Sequence, residues 1–189
     1  MSVLTAANQL TLLRLLLVPV FALCIFYDLH GWALVTFAVA GLTDLFDGVL
    51  ARRSGPTVLG AWLDPAADKL LVLTMFVMLT VPGLGGPNRL PLWLTVLVIS
   101  RDVGIVLTVA IFNLAVAKKT FRPTFLGKVA TVVFVMTGVV ALFGNYRGES
   151  LELVQWCAYG SAAITLLSGF HYVVRVMRPG AADADQAAP

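Results

Sequence analysis

The stretch DLFDGVLARRSGPTVLGAWLDPAADK, residues 44–69, determines how the rest of the chain is interpreted. It places four carboxylates in two segments that are otherwise apolar enough to lie in a lipid bilayer: Asp44, Asp47, Asp64 and Asp68. An ionisable side chain at membrane depth is costly unless it faces water, a metal ion or a charged partner. Four aspartates together therefore predict a functional site within the membrane.

The spacing of the aspartates predicts that they converge. If both segments are helices, Asp44 and Asp47 share one helical face, and Asp64 and Asp68 share another. A chain reversal near Pro56 would place the two helices side by side as an antiparallel hairpin. The carboxylates would then form two level pairs, spread over roughly 6 Å of helix axis.

The chemistry of this cluster predicts bound metal. Carboxylates at such short range repel one another, and divalent cations are the counter-ions that would hold them together. The donor set contains oxygen only, with no histidine or cysteine, which suits Mg²⁺, Mn²⁺ or Ca²⁺ rather than Zn²⁺.

Small residues flank the carboxylates on the same helical faces. Gly48 and Ala51 fall on the stripe of the first two aspartates, and Gly60 falls on the stripe of the third. Arg52, about two turns beyond the first aspartate, offers a planar guanidinium suited to a phosphate. Carboxylate-held metals, a guanidinium and space for a bulky group together predict a site for a diphosphate-linked substrate.

The same stretch closely resembles the signature of the CDP-alcohol phosphatidyltransferase family, which is D-x-x-D-G-x-x-A-R, a spacer, and then G-x-x-x-D-x-x-x-D. Every fixed position is matched, by Asp44, Asp47, Gly48, Ala51, Arg52, Gly60, Asp64 and Asp68. The spacer, residues 53–59, is one residue shorter than is usual in the family, and this departure bears on the geometry of the loop.

The resemblance implies an enzyme that transfers a phosphatidyl group from CDP-diacylglycerol to an alcohol and releases CMP. It implies two divalent cations, Mg²⁺ or Mn²⁺, held by the four aspartates, with Asp68 also acting as the general base on the acceptor hydroxyl. The nucleotide and diphosphate would contact Asp47, Gly48, Ala51, Arg52 and Gly60. A homodimer is also implied.

The first apolar segment carries a polar row. Asn8, Thr11 and Arg14 recur every third residue and could line one face near the cytoplasmic surface. The alternative is a pair of caps plus an arginine that snorkels to the interface. The pattern N-x-x-T-x-x-R followed by Pro19 resembles the phosphatidylglycerophosphate and cardiolipin synthase branches of the family, which favours an acceptor-binding role for Arg14.

Two later segments offer further cations. Arg101 and Asp102 lie midway along the fourth predicted helix and, being adjacent, are not expected to face each other. Lys128 lies more than a turn inside the fifth. Arg101 and Lys128 are candidates for binding the acceptor's phosphate, whereas the structural alternative is that Arg101 neutralises Asp102 or another carboxylate. The family branches imply sn-glycerol 3-phosphate as the acceptor, with phosphatidylglycerol as the alternative and inositol phosphate third.

The composition predicts an all-α, polytopic membrane protein. The 189 residues are 59% hydrophobic and 12% charged, which is too apolar for a water-soluble domain. Six transmembrane helices are expected, within a single domain of residues 1–178, followed by a disordered tail, 179–189. The helices are predicted to extend from the N-terminal region to Phe26, from Trp32 to the turn at Arg52, and over 59–80, 91–114, 123–143 and 151–176.

The loop charges predict the orientation. One side carries Arg52, Arg53, Lys118, Lys119, Arg122, Arg175 and Arg178, and the other carries only Arg89 and Arg147. The positive-inside rule then places both termini and the turn of the aspartate hairpin in the cytoplasm. The site would lie in the inner half of the bilayer and face the cytoplasm, in what we expect to be a bacterial inner membrane. The net charge of +3 suggests anionic lipid neighbours and not nucleic acid.

An ion or proton transporter is the alternative that is not an enzyme, because transporters also use carboxylates within the membrane. Transporters more often show inverted repeats with broken helices, and no internal repeat is evident here. Gly48, Ala51 and Arg52 would also have no role in one.

Overall fold

The structure is a computed structural model. It describes the backbone of residues 6–54, 58–84, 86–115 and 125–177, and the side chains of residues 9–43, 66–84, 86–108 and 125–175. Within these ranges the chain forms six helices and no strand: α1 (Ala6–Phe26), α2 (His30–Ser54), α3 (Val58–Thr80), α4 (Leu92–Ala115), α5 (Phe125–Arg147) and α6 (Glu152–Met177). The predicted all-helical fold class is confirmed.

Three described segments are long and apolar enough to cross a membrane: Gln9–Phe26 in α1, Phe125–Arg147 in α5 and Glu152–Arg175 in α6. A further apolar segment of α2, His30–Thr43, is shorter. Because about 20 apolar residues are needed to cross the hydrocarbon core as a helix, these segments indicate a membrane protein.

Two of the differences from the predicted helix ends, the start of α2 and the end of α5, lie beside a left-handed cap. Asp28 has φ 57°, and the N–H of Leu29 donates to the carbonyl of Cys24 at 2.8 Å, so α1 closes in a Schellman motif. The next helix therefore begins at His30, two residues before the predicted start. Gly148 forms the corresponding left-handed cap after α5, with φ 67°.

The first compact unit comprises the described residues up to Leu90 together with Gly138–Glu152. Within it, α1 packs against both α2 and α3. Large side chains with no exposed surface lie in this unit, among them Phe21, Met75 and Phe76. The rings of Phe21 and Phe37 lie 5.7 Å apart between their centroids, so α1 and α2 are joined by aromatic contact.

The second compact unit comprises Pro91–Thr137 and the described residues from Leu153 onward. A buried hydroxyl contact joins α5 to α6 there, since Thr137 Oγ1 and Ser161 Oγ lie 2.8 Å apart. Thr165 satisfies its own hydroxyl by donating to the carbonyl of Ser161 at 2.6 Å. The hydroxyls of these three residues are thus hydrogen-bonded within apolar helices, as a low-dielectric environment favours.

Candidate active site

The signature residues lie on two consecutive helices. Asp44, Asp47, Gly48, Ala51 and Arg52 fall in α2, and Gly60, Asp64 and Asp68 fall in α3. Helix α2 ends at Ser54 and α3 begins at Val58, on either side of Pro56. The premise that the aspartates recur at helical spacing is therefore confirmed for the backbone.

The convergence of the four carboxylates stays a prediction. Asp44, Asp47 and Asp64, together with Gly48, Ala51, Arg52 and Gly60, lie outside the residues whose side chains the structure describes. Among the described side chains, which include only one of the four aspartates, no group of three or more His, Cys, Asp or Glu residues comes together.

Of the four signature aspartates, Asp68 is the one whose side chain the structure describes. It forms an ion pair with Arg14 of α1. The Nη1 of Arg14 donates to Asp68 Oδ1 at 3.3 Å. The arginine side chain has no exposed surface, whereas 43% of the aspartate side chain is exposed. The guanidinium also donates from Nε to the carbonyl oxygen of Ala40 in α2, at 3.3 Å.

This pairing was missed by the sequence reasoning, although a signal for it exists. A single guanidinium inside an apolar helix requires a counter-charge at the same depth. The alternative that Arg14 snorkels to the interface is wrong, because its side chain is enclosed by protein. Thr11 lies one turn earlier on α1 and is also fully buried.

The structure corrects the expectation for Arg101 and Asp102. Arg101 Nη1 donates to Asp102 Oδ1 at 2.6 Å, although the two residues are neighbours on α4. Their Cβ atoms point in different directions, but the long arginine side chain is able to fold back onto the adjacent carboxylate. The structure therefore shows the arrangement in which Arg101 neutralises Asp102.

One donor of Arg101 has no partner among the described residues. Only 13% of its side chain is exposed, and its buried Nε has no hydrogen-bond partner among the described residues. Its stem lies beside α6, where a Cβ on Gly169 would be 3.8 Å from Arg101 Cγ. Lys128 is exposed on α5. Whether these two cations bind an acceptor stays a prediction.

The donor set fits divalent cations by its chemistry. All four candidate ligands are carboxylates, which are the ligands preferred by Mg²⁺ and Mn²⁺. A carboxylate has two oxygens and about four lone-pair sites. Asp68 is therefore chemically able to bind Arg14 through one side and still offer lone pairs to a cation.

A helical membrane protein with this acidic, small-residue signature on successive helices is of the class of membrane-embedded transferases. The sequence model of the CDP-alcohol phosphatidyltransferase family matches residues 4–167, and the chain belongs to that family. It is thus an enzyme of phospholipid biosynthesis, which sets the transporter alternative aside. The family is generally dependent on divalent metal ions.

Similar curated proteins fall into two functional groups. The chain is 37% identical over 183 residues to a probable phosphatidylglycerophosphate synthase of Mycobacterium tuberculosis, covering 91% of this chain and 81% of that protein. It is 35% identical over 195 residues to a cardiolipin synthase (CMP-forming) of Streptomyces coelicolor, covering 96% and 86%. The human cardiolipin synthase (CMP-forming) is 35% identical over 190 residues, covering 89% of this chain and 61% of that protein.

Proposed function

We propose that the protein transfers the phosphatidyl group of CDP-diacylglycerol to sn-glycerol 3-phosphate, giving phosphatidylglycerophosphate and CMP. The observation that carries the proposal is the complete family signature on α2 and α3. The choice of acceptor is supported by the 37% identity to a probable phosphatidylglycerophosphate synthase. It is also supported by a Pseudomonas fluorescens protein named CDP-diacylglycerol–glycerol-3-phosphate 3-phosphatidyltransferase, 42% identical over 104 residues that cover 51% of this chain.

The four aspartates would hold two divalent cations, Mg²⁺ or Mn²⁺: Asp44, Asp47, Asp64 and Asp68. When bound, these cations would neutralise charge on the diphosphate and on the departing CMP. Arg52 would add a cation to the same group, and the small residues Gly48, Ala51 and Gly60 would leave room for the nucleotide.

Asp68 would act as the general base. Its carboxylate would accept the proton of the acceptor hydroxyl while the hydroxyl oxygen attacks the phosphorus that bears diacylglycerol. The new P–O bond forms as the bond from that phosphorus to the CMP oxygen breaks, and CMP departs with the electron pair. The 43% exposure of the Asp68 side chain supports this role, since a general base must be reachable by its substrate.

Arg101 and Lys128 would bind the phosphate of the acceptor. Fixed cations suit a phosphate; 13% of the Arg101 side chain is exposed, and Lys128 is exposed on α5.

The alternative is a cardiolipin synthase that uses phosphatidylglycerol as acceptor. The similarity to the Streptomyces coelicolor enzyme favours it, because that match covers 96% of this chain. The same chemistry would operate at Asp68, but the acceptor would arrive from the lipid phase and not from water.

We also propose six transmembrane helices with both termini and the active site on the cytoplasmic side of a bacterial inner membrane. The loop charges support this orientation. A single domain over residues 1–178, a homodimer and a disordered tail belong to the same proposal, and the tail, 179–189, lies outside the described residues.

The test is CMP release by purified protein in lipid nanodiscs with CDP-diacylglycerol and either Mg²⁺ or Mn²⁺. Glycerol 3-phosphate, phosphatidylglycerol and inositol phosphate would be offered in turn. We expect turnover with glycerol 3-phosphate, its loss with EDTA and its return on adding Mn²⁺. Turnover with phosphatidylglycerol alone would establish the alternative, and no CMP release with any acceptor would contradict the reaction itself.

A further inference from the structure

We propose that Arg14 is a positioning residue, which holds the Asp68 carboxylate in register with the segment of α2 that carries Asp44 and Asp47. The inference rests on the proposed function in one respect, namely that Asp68 takes the proton of the acceptor. It differs from the sequence-based hypothesis that Arg14 binds the acceptor itself.

The guanidinium of Arg14 joins the two site helices. Its Nη1 donates to Asp68 Oδ1 on α3 at 3.3 Å, and its Nε donates to the carbonyl oxygen of Ala40 on α2 at 3.3 Å. Because the guanidinium is planar and rigid, its donors have fixed directions. The position of Asp68 relative to the backbone of α2 is therefore set through one side chain of α1.

The anchor on α2 is adjacent to the signature. Ala40 lies one helical turn before Asp44, and in a regular α-helix the carbonyl of residue 40 is the one that faces the N–H of residue 44. The same carbonyl oxygen also accepts a hydrogen bond from Thr43 Oγ1 at 2.7 Å. Arg14 thus attaches Asp68 to the turn of α2 that leads directly into the first two aspartates.

The burial of Arg14 favours positioning over substrate contact. The side chain has no exposed surface, and α1 packs against both α2 and α3 around it. An acceptor has no surface of Arg14 to bind, whereas the carboxylate that Arg14 holds remains partly exposed. A displacement of about 1 Å in a reacting group is able to cost about 100-fold in rate, so an anchor of this kind would act on turnover.

The kinetic test compares Arg14→Met and Arg14→Lys with the wild-type protein, at saturating CDP-diacylglycerol and varied acceptor. For Arg14→Met we expect kcat to fall by about 10- to 100-fold, as for loss of an outer partner of a site ligand, with KM for the acceptor unchanged. Arg14→Lys should recover part of kcat, because it keeps the charge but replaces two nitrogen donors at fixed positions by a single nitrogen. Arg147→Met is the matched control, since Arg147 pairs with the exposed Glu149, and it should behave as wild type.

The opposite kinetic pattern would overturn the proposal. A raised KM at unchanged kcat would make Arg14 a ligand of the acceptor, and wild-type values of both constants would leave it without a role in turnover. If Arg14→Met does not fold, Arg14→Lys decides: a lower kcat at unchanged KM supports positioning, and a wild-type kcat contradicts it.

A second measurement is independent of the acceptor and of turnover. Thermal unfolding of Arg14→Met, Asp68→Asn and the double variant forms a double-mutant cycle. We expect the double variant to lose less stability than the sum of the single losses, and additive losses would overturn the pairing. Absence of CMP release by the wild-type protein with every acceptor would contradict the proposed function, while this cycle would still report on the Arg14 contact.

Discussion

Asn88 and Asn145 join the loop that follows α3 to the end of α5. The Oδ1 of Asn145 accepts from the backbone N–H of Asn88 at 2.7 Å and from its Nδ2 at 3.1 Å. The Asn88 side chain also donates to the carbonyl of Glu149 at 2.7 Å and accepts from the N–H of Leu151 at 2.7 Å. One buried asparagine therefore satisfies two backbone groups within the turn between α5 and α6.

Replacing this asparagine should destabilise the first unit. In Asn88→Ala the Leu151 N–H and the Glu149 carbonyl lose their part-buried hydrogen bonds, and each is expected to cost about 0.5–1.5 kcal/mol. Unfolding in detergent should report the loss. Ser100→Ala is the control, because the Ser100 hydroxyl is exposed and its one partner among the described residues is the carbonyl of Leu97 in its own helix. Equal stability of the two variants would contradict the role of Asn88.

Gly138 of α5 leaves space for Met75 of α3. A Cβ at Gly138 would overlap the sulfur of Met75. Because Met75 is fully buried, overpacking of this kind is expected to cost about 1–3 kcal/mol. We expect Gly138→Ala to lower the unfolding temperature, and Met75→Ala to cost less in that variant than in the wild type. Gly160→Ala is the matched control, since nothing lies within 4 Å of its added Cβ, and it should be neutral or stabilising. If Gly138→Ala and Gly160→Ala change the unfolding temperature by the same small amount, the contact between Gly138 and Met75 is ruled out.

Asp68→Asn should separate proton transfer from substrate binding. The amide keeps the shape of the carboxylate but cannot accept the proton, so we expect CMP release to be abolished. Metal-dependent binding of CDP-diacylglycerol should be largely retained, and both quantities are measurable in nanodiscs. Glu149→Gln, the same change at an exposed carboxylate, should alter neither. Equal loss of binding and turnover would assign Asp68 to metal holding alone.

Arg101 and Lys128 should act on the acceptor. We expect Arg101→Met and Lys128→Met each to raise KM for glycerol 3-phosphate by about 10- to 100-fold, as for loss of one charge-assisted hydrogen bond. Binding of CDP-diacylglycerol should not change.

A double variant distinguishes this role from the pairing with Asp102. If Arg101 only neutralises its neighbour, Arg101→Met combined with Asp102→Asn should restore both stability and KM. If Arg101 binds the acceptor, stability should recover and KM should stay raised.

The proposed topology is open to thiol labelling in intact cells. After replacement of the native Cys24 and Cys157 by serine, the new thiol of Glu149→Cys should react with an impermeant reagent from outside. The new thiol of Lys118→Cys should react only after lysis. The reverse pattern would invert the orientation and place the site on the outer face.

Two helix ends depend on a left-handed backbone conformation that the sequence analysis did not predict. The predicted starts and ends agree within a few residues, but α2 begins earlier, at His30, and α5 ends later, at Arg147. Asp28 and Gly148 adopt left-handed caps, and the hydrophobic pattern contains no information about that conformation. The adjacent pair Arg101 and Asp102 was judged by Cβ directions, which neglect the reach of an arginine.

The order of the residues is enough to establish the family, the helical class and the two helices on which the aspartates lie, because charge at helical spacing in an apolar chain permits few other arrangements. The enclosure of Arg14 and its pairing with Asp68 become visible only in the folded chain. The two residues are 54 positions apart, and a counter-ion at that separation is chosen by how α1 packs against α2 and α3 and not by any local pattern.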